Sequence, residues 1–89
     1  MVKNSLGASD KFFCDLYCFE PGQAQKPHKH GSSDKIYVVM EGRGMFHIGE
    51  DARDIGPGQG VLARAGVEHG VENISKERLT ILAFMAPKP

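Results

Sequence analysis

The stretch from Pro27 to Gly42, PHKHGSSDKIYVVMEG, joins two histidines to the strongest predicted strand of the chain. Residues 34–41 are dense in β-branched and aromatic side chains, which favour extended backbone. On a strand, His28 and His30 would lie on the same face, with Cα atoms roughly 6.5–7 Å apart. Both imidazoles can then reach one ion at roughly 2.0–2.1 Å. The stretch therefore predicts a metal site beside a β-strand.

The rest of the 89-residue chain predicts further short strands, separated by glycine and proline turns. No stretch has the i, i+3, i+4, i+7 periodicity of an amphipathic helix. Eight short strands with turns every ~8–12 residues indicate an all-β sandwich or barrel, forming one domain over residues 1–89. The predicted strands cover residues 11–20, 27–30, 34–41, 45–49, 52–55, 61–64, 69–73 and 79–86. Residues 1–10 are expected to fray or to lie over a neighbouring part of the protein.

The charges of the chain are balanced, with 11 basic and 11 acidic residues and no run of one sign. This balance argues against nucleic acid or an anionic membrane as the main partner, because both need a clustered basic surface. No apolar run approaches the ~18 residues of a membrane span. Residues 1–10 lack the apolar segment of a secretory signal, so a cytoplasmic protein is expected.

Two further histidines differ in their expected roles. His69 follows the turn at Ala65-Gly66, and the intervening strands and turns can bring it opposite His28 and His30. His47 lies on a different predicted strand and is not expected to be a ligand. Three imidazoles suit a divalent transition metal better than Mg or Ca, so one ion of Zn, Fe, Ni, Mn or Cu is the expected cofactor.

The spacing of these residues resembles that of the cupin superfamily, in particular its small single-domain members. The match covers about residues 12–86. The resemblance implies a double-stranded β-helix (jelly-roll) barrel, often a homodimer, with a divalent metal inside the barrel near one mouth. The positions that carry it are Gly22, His28, His30 and Gly42 for the first motif, and Gly58, Gly66, His69 and Asn73 for the second.

The chain departs from the family pattern at the position of its glutamate ligand, which Lys35 occupies when Gly42 fixes the register. Asp34 fits a shorter form of the motif, but a shift of one residue turns a strand side chain to the opposite face. Asp34 could approach the metal only through a bulge at residues 31–33. Without a carboxylate ligand, the site keeps the full charge of the ion and favours an anionic molecule in the open positions.

Lys35 and Tyr37 share strand parity and are the candidate catalytic residues. Lys35 would point into the barrel mouth as a cation or pair with an acid. Tyr37 would offer its hydroxyl to a ligand or simply pack, with that hydroxyl at the rim. Three interpretations remain: an enzyme acting on a small anionic organic molecule, a binding or sensor module without turnover, and a metal-free barrel in which Lys35 forms ion pairs.

Overall fold

The computed structural model describes residues 1–88, and Pro89 lies outside the described residues. The described part of the chain contains no helix, and so none that is long and apolar enough to cross a membrane. It forms two sheets of antiparallel strands, with strand orders β1-β2-β9-β4-β7 and β3-β8-β5-β6. The all-β prediction is confirmed. The strands are β1 (Val2–Ala8), β2 (Phe13–Phe19), β3 (Ala24–His28), β4 (Asp34–Glu41), β5 (Gly44–Ile48), β6 (Asp51–Ile55), β7 (Gly60–Ala63), β8 (His69–Glu72) and β9 (Leu79–Ala86).

The core lies between the two sheets and is filled by alternate residues of the central strands. On β4, Tyr37 and Val39 are buried, and each faces the same way as its partner on β9, Ala83 or Ile81. Fully burying one such aliphatic or aromatic side chain stabilises the fold by about 1.5–3 kcal/mol. The buried cluster comprises Tyr17, Phe19, Tyr37, Val39, Phe46, Ile55, Val61, Val71, Leu79, Ile81 and Ala83.

The N-terminal segment does not fray: it lies along a neighbouring strand as an additional strand of the sheet, which was not predicted. β1 pairs along β2, from Val2 opposite Cys18 to Ala8 opposite Phe13, with a register shift between Ser5 and Gly7. All seven of its residues are exposed. Backbone hydrogen bonds to the neighbouring strand hold it in place, and these leave no hydrophobic pattern in the sequence.

The strand that carries the first histidine begins earlier than predicted, at Ala24 instead of Pro27. Its pairing with β8 is irregular between Gln25 and His28. Pro27 lies within this irregular segment, which suits a residue that has no N–H to donate to a ladder. The strand ends at His28, so His30 lies in the connection to β4 and not on the same strand as predicted.

Candidate metal centre

The first and third histidines face each other across the β3–β8 pair. His28 is the last residue of β3, and its register partner is His69, the first residue of β8. Directly paired residues of antiparallel strands point to the same face. Val71 is two positions beyond His69 and belongs to the core, so both histidines face the interior between the sheets.

The second histidine is held over the interior by the loop that precedes His69. The His30 carbonyl accepts a 2.7 Å hydrogen bond from the Gly66 N–H. Asp34 fastens the same loop, because its carboxylate accepts a 2.8 Å hydrogen bond from the Ala65 N–H. The two contacts join the connection after β3 to the turn before β8, so they bring His30 towards His69.

One nitrogen from each of His28, His30 and His69 lies within 4.8 Å of the other two. The ring centroids are 4.4 Å apart for His28–His69, 5.0 Å for His28–His30 and 5.6 Å for His30–His69. Three nitrogens bound at roughly 2.0–2.1 Å to one ion lie roughly 3–3.5 Å apart, so pairs at the 4.8 Å limit would need to close by about 1.5 Å to bind one ion together. The predicted triad is therefore assembled in a form that could hold a metal.

The orientation of two rings leaves their Nε2 atoms free for a ligand. His28 Nδ1 is 3.0 Å from the Lys26 carbonyl, and His69 Nδ1 is 2.9 Å from the Val67 carbonyl. A carbonyl only accepts, so each Nδ1–H is the donor and each Nε2 carries a lone pair. His69 Nε2 is buried, and no group within residues 1–88 hydrogen-bonds to it. A metal-binding histidine commonly has one ring nitrogen hydrogen-bonded to the protein and the other free to bind the ion. His69 fits this pattern, with Nδ1 bonded to Val67 and a buried, unpaired lone pair on Nε2.

The electrostatics of the site favour neutral imidazoles, the form that binds metal. Burial lowers the pKa of His69, and the hydrogen bond to Val67 offsets only part of that effect. Burial also lowers the pKa of His30, followed by repulsion from His28 and Lys35. Protonation therefore competes less with metal binding at neutral pH than it would at an exposed histidine.

Lys35 points into the same interior. It is 1% exposed, and its register partners on the two neighbouring strands, Ala63 and Met85, are also buried. Asp34 is exposed, and its carboxylate accepts a hydrogen bond from the Ala65 N–H. Its side chain therefore lies on the opposite face of β4 from Lys35. The glutamate position of the motif is thus filled by an inward lysine, and no bulge brings Asp34 to the histidines.

The ammonium of Lys35 lies against aromatic rings, and it forms no ion pair with Asp15, the buried acid that attracts it. Its Nζ is 4.9 Å from the Tyr37 ring centroid and 5.2 Å from the Tyr17 ring centroid. In the described part of the chain, the ion pairs join Arg43 to Asp54 and Arg78 to Glu20, and neither includes Lys35. Burial, with repulsion from Lys3, lowers the pKa of Lys35 to about 8, and only Asp15 opposes the shift.

Tyr37 is fully buried beside the triad, with its ring 6.1 Å from that of His69. Its hydroxyl donates a 3.0 Å hydrogen bond to Gln25 Oε1, so it lies inside the barrel and not at the rim. Burial raises its pKa, which keeps the hydroxyl protonated as a donor. Sequence reasoning missed Gln25 and Tyr17, whose proximity depends on the pairing of distant strands.

Gly70 keeps the two histidine strands close together. A Cβ at this position would be 2.8 Å from the Gln25 carbonyl oxygen and 3.0 Å from the Pro27 nitrogen, both backbone atoms. We expect Gly70→Ala to force β3 away from β8 and to separate His28 from His69. The cost is about 1–2 kcal/mol of stability, as for overpacking, together with weaker metal binding. Thermal unfolding and a zinc titration measure both effects.

Gly31→Ala is the matched control for this prediction, because Gly31 follows His30 and an added Cβ meets nothing within 4 Å. Its effect should stay within about 0.5 kcal/mol. Equal effects of the two substitutions, or none from Gly70→Ala, would contradict a tight contact at Gly70. His47 is exposed on β5 and lies outside the histidine group.

Comparison with known proteins identifies the family to which this geometry belongs. The Cupin domain family model matches residues 15–85. Among solved structures, TT1209 from Thermus thermophilus is 40% identical, with a TM-score of 0.97 over 100% of this chain and 85% of that one. A protein with a double-stranded β-helix domain from Klebsiella pneumoniae is 21% identical, with a TM-score of 0.90 over 97% of this chain and 76% of its own. The predicted double-stranded β-helix is confirmed.

A curated relative carries a ligand in its name. The oxalate-binding protein of Thermotoga maritima is 31% identical over 65 residues, which are 73% of this chain and 54% of that protein. This chain spans about half the length of the curated relatives that it matches.

Proposed function

This chain belongs to the cupin family, and we propose that it binds one divalent metal ion through His28, His30 and His69 and holds a small dicarboxylate between that ion and Lys35. The observation that carries the proposal is the buried Lys35 ammonium, which forms no ion pair within residues 1–88. A buried charge is costly unless it is paired. Buried Asp15 attracts the ammonium but forms no ion pair with it, so an anionic ligand would supply the direct partner.

The ammonium and the histidines belong to one region of the interior. The Tyr37 ring lies 4.9 Å from Lys35 Nζ and 6.1 Å from the His69 ring, which links the two groups. A bound divalent ion would supply a Lewis acid with open positions for carboxylate oxygens. Lys35 would hold the other end of the ligand through a charge-assisted hydrogen bond.

The two candidate catalytic residues have distinct parts in this proposal. With a pKa of about 8, Lys35 is mostly protonated at neutral pH and can also release its proton to a product. Tyr37 supports the ammonium with its ring, and its protonated hydroxyl is a donor to Gln25 or to a ligand oxygen that replaces Gln25. The relative's name makes oxalate the first ligand to test.

The test uses tag-free protein, first analysed for metal and then titrated with oxalate in its metal-loaded and metal-free forms. We expect about one equivalent of Zn, Fe, Ni, Mn or Cu and oxalate binding that depends on it. Lys35→Met should weaken oxalate binding about 10–100-fold, since a hydrogen bond to a charged group contributes about 1.5–3 kcal/mol. Lys29→Met removes an exposed lysine between His28 and His30 and should leave the affinity nearly unchanged.

Each outcome separates the interpretations. Mass spectrometry after long incubation with oxalate shows whether a product forms. Oxalate binding without a product would establish a binding module, whereas product formation would establish an enzyme. Equal affinities of the wild type and Lys35→Met would refute the role of Lys35. Failure to take up any of the five metals would refute the metal site, and oxalate binding to that protein would support the metal-free barrel.

A further inference from the structure

The two sheets leave a cavity between their outermost strands. β6 is the last strand of the four-stranded sheet, and β7 is the last strand of the five-stranded sheet. The cavity between them has a volume of about 250 Å³. We call it the edge cavity; it is lined by Ile48, Asp51, Arg53, Val61, Leu62 and Arg64. The three histidines and Lys35 lie outside this lining.

Two charged side chains of β6 point towards the space between the sheets. The register pairs Arg53 with Phe46, and Asp51 with Ile48. Phe46 is fully buried, and Ile48 packs against the core. Directly paired residues point to the same face, so Arg53 and Asp51 face inward too. Both are nevertheless exposed, because β6 is an edge strand and the cavity beside it is open.

The arginines of the edge cavity have no acid as a partner. The chain has four arginines, and two of them, Arg43 and Arg78, form the ion pairs of the described residues. The other two, Arg53 and Arg64, both line the edge cavity and form no ion pair within residues 1–88. Their guanidinium groups are therefore available to a ligand.

Both arginines belong to backbone that hydrogen bonds hold in place. Arg53 is in the middle of β6, which pairs along β5. Arg64 follows β7, and its carbonyl accepts a 3.0 Å hydrogen bond from the Val67 N–H in the turn before β8. A guanidinium presents its N–H donors in a planar fork that matches two oxygens of a carboxylate or phosphate. One arginine from each sheet can thus hold an acid group between them.

We propose that the edge cavity is a second ligand site, which binds a small hydroxylated organic acid, either a phosphate ester or a carboxylate. Arg53 and Arg64 hold the acid group. The Asp51 carboxylate can only accept hydrogen bonds, so it binds a hydroxyl of the ligand. The apolar side chains of Val61 and Leu62 contact its carbon atoms. At ~30 Å³ per water, the cavity has room for about eight waters, which suits one acid group with a short chain.

The edge cavity and the metal centre are neighbours, with Ile48 between them. The register places Ile48 beside His69 on one side and beside Asp51 on the other. Neighbouring strands are ~4.8 Å apart, so the backbones of His69 and Asp51 are roughly 10 Å apart. A ligand of the edge cavity therefore needs neither the metal nor Lys35, and it can be measured in metal-free protein.

Glycerol 3-phosphate and methyl phosphate are the probes, because they share the acid group and only the first has hydroxyls. In calorimetric titrations, glycerol 3-phosphate should bind more tightly. Arg53→Met and Arg64→Met should each weaken its binding about 10-fold, as expected for loss of a hydrogen bond to a charged group. Arg78→Met, which removes an exposed arginine outside the edge cavity, should leave the affinity unchanged. Glycerate and acetate repeat the comparison, and the tighter of the two hydroxylated probes identifies the acid group.

Asp51→Asn tests the contact with the hydroxyl. The loss of a negative charge should strengthen binding of methyl phosphate and reduce the preference for glycerol 3-phosphate. An unchanged preference in the variant would overturn the role of Asp51. If no probe binds the wild type, the site is refuted, and the inward charges of β6 serve only to protect an edge strand from pairing with another chain. Equal weakening by Arg78→Met would also refute it.

A measurement on the wild type covers the case in which a variant does not fold. The Nε–Hε signals of the four arginines can be followed by nitrogen-15 NMR during a titration with glycerol 3-phosphate. Two of the four signals should shift along a saturating curve, since two arginines line the edge cavity. Shifts of all four signals, or of none, would overturn the proposal.

Discussion

His69→Ala is expected to lower the affinity of the protein for zinc or nickel by at least about 100-fold. Removal of even an outer partner of a metal-bound histidine costs about 10–100-fold, so the loss of a ligand itself should exceed that range. His69 is also the most deeply buried of the three, and its Nε2 is the buried nitrogen left without a hydrogen bond within residues 1–88. Competition with a chromophoric chelator measures the affinity in tag-free protein.

His47→Ala is the control for this experiment, because His47 is exposed on β5 and lies outside the histidine group. It should bind metal like the wild type. Circular dichroism must show that His69→Ala is folded. Unchanged metal affinity in a folded His69→Ala protein would contradict a site built on the triad, whatever ion the wild type holds.

His28 and His30 could be predicted from their local spacing, and His69 from its place in the second motif of the family resemblance. The residues that hold the three histidines in place could not be predicted. Residues 34–41 and 79–86 were predicted with the bounds that β4 and β9 have, since both are central strands with dense β-forming residues. The β1 strand escaped prediction, because an edge strand exposed along its whole length has no periodic burial to leave in the sequence. Backbone pairing alone fixes it.

The interior around Lys35 shows the limit of strand parity. Parity along β4 was enough to predict that Lys35 and Tyr37 face the same side and that Asp34 faces away. The proximity of Tyr17 and Gln25 depends instead on how β2, β3 and β9 align with β4, and several registers fit the sequence equally. The irregular pairing between Gln25 and His28 likewise depends on the alignment of β3 with β8.

Lys35→Met is expected to stabilise the metal-free protein at pH 7 by about 2 kcal/mol, the second large effect. Methionine has a similar length and carries no charge to bury. Burial lowers the pKa of Lys35 from 10.5 to about 8, so the folded state holds this proton less tightly than the unfolded state does. Each pKa unit corresponds to ~1.4 kcal/mol of differential stability. Methionine also loses the cation–π contacts of Lys35 with the Tyr17 and Tyr37 rings, which lowers the net gain to about 2 kcal/mol.

The pH dependence identifies the cause. Below about pH 8, Lys35 is charged in both states and the wild type bears the full cost of burying the cation. Between about pH 8 and 10.5, the unfolded state binds more protons than the folded state. The free energy of unfolding of the wild type therefore rises with pH, while that of the variant lacks this contribution. Chemical denaturation of both proteins across this range, after removal of metal by a chelator, should show their difference shrinking.

Lys29→Met provides the comparison, because Lys29 is exposed and its removal should change stability by less than about 0.5 kcal/mol at every pH. A destabilised Lys35→Met protein would mean that the ammonium has a favourable partner in the folded state. A gain in stability together with a loss of oxalate affinity would have one physical explanation. In that case a bound anion, and not a group of the fold, would neutralise the cation that Lys35 holds in the interior.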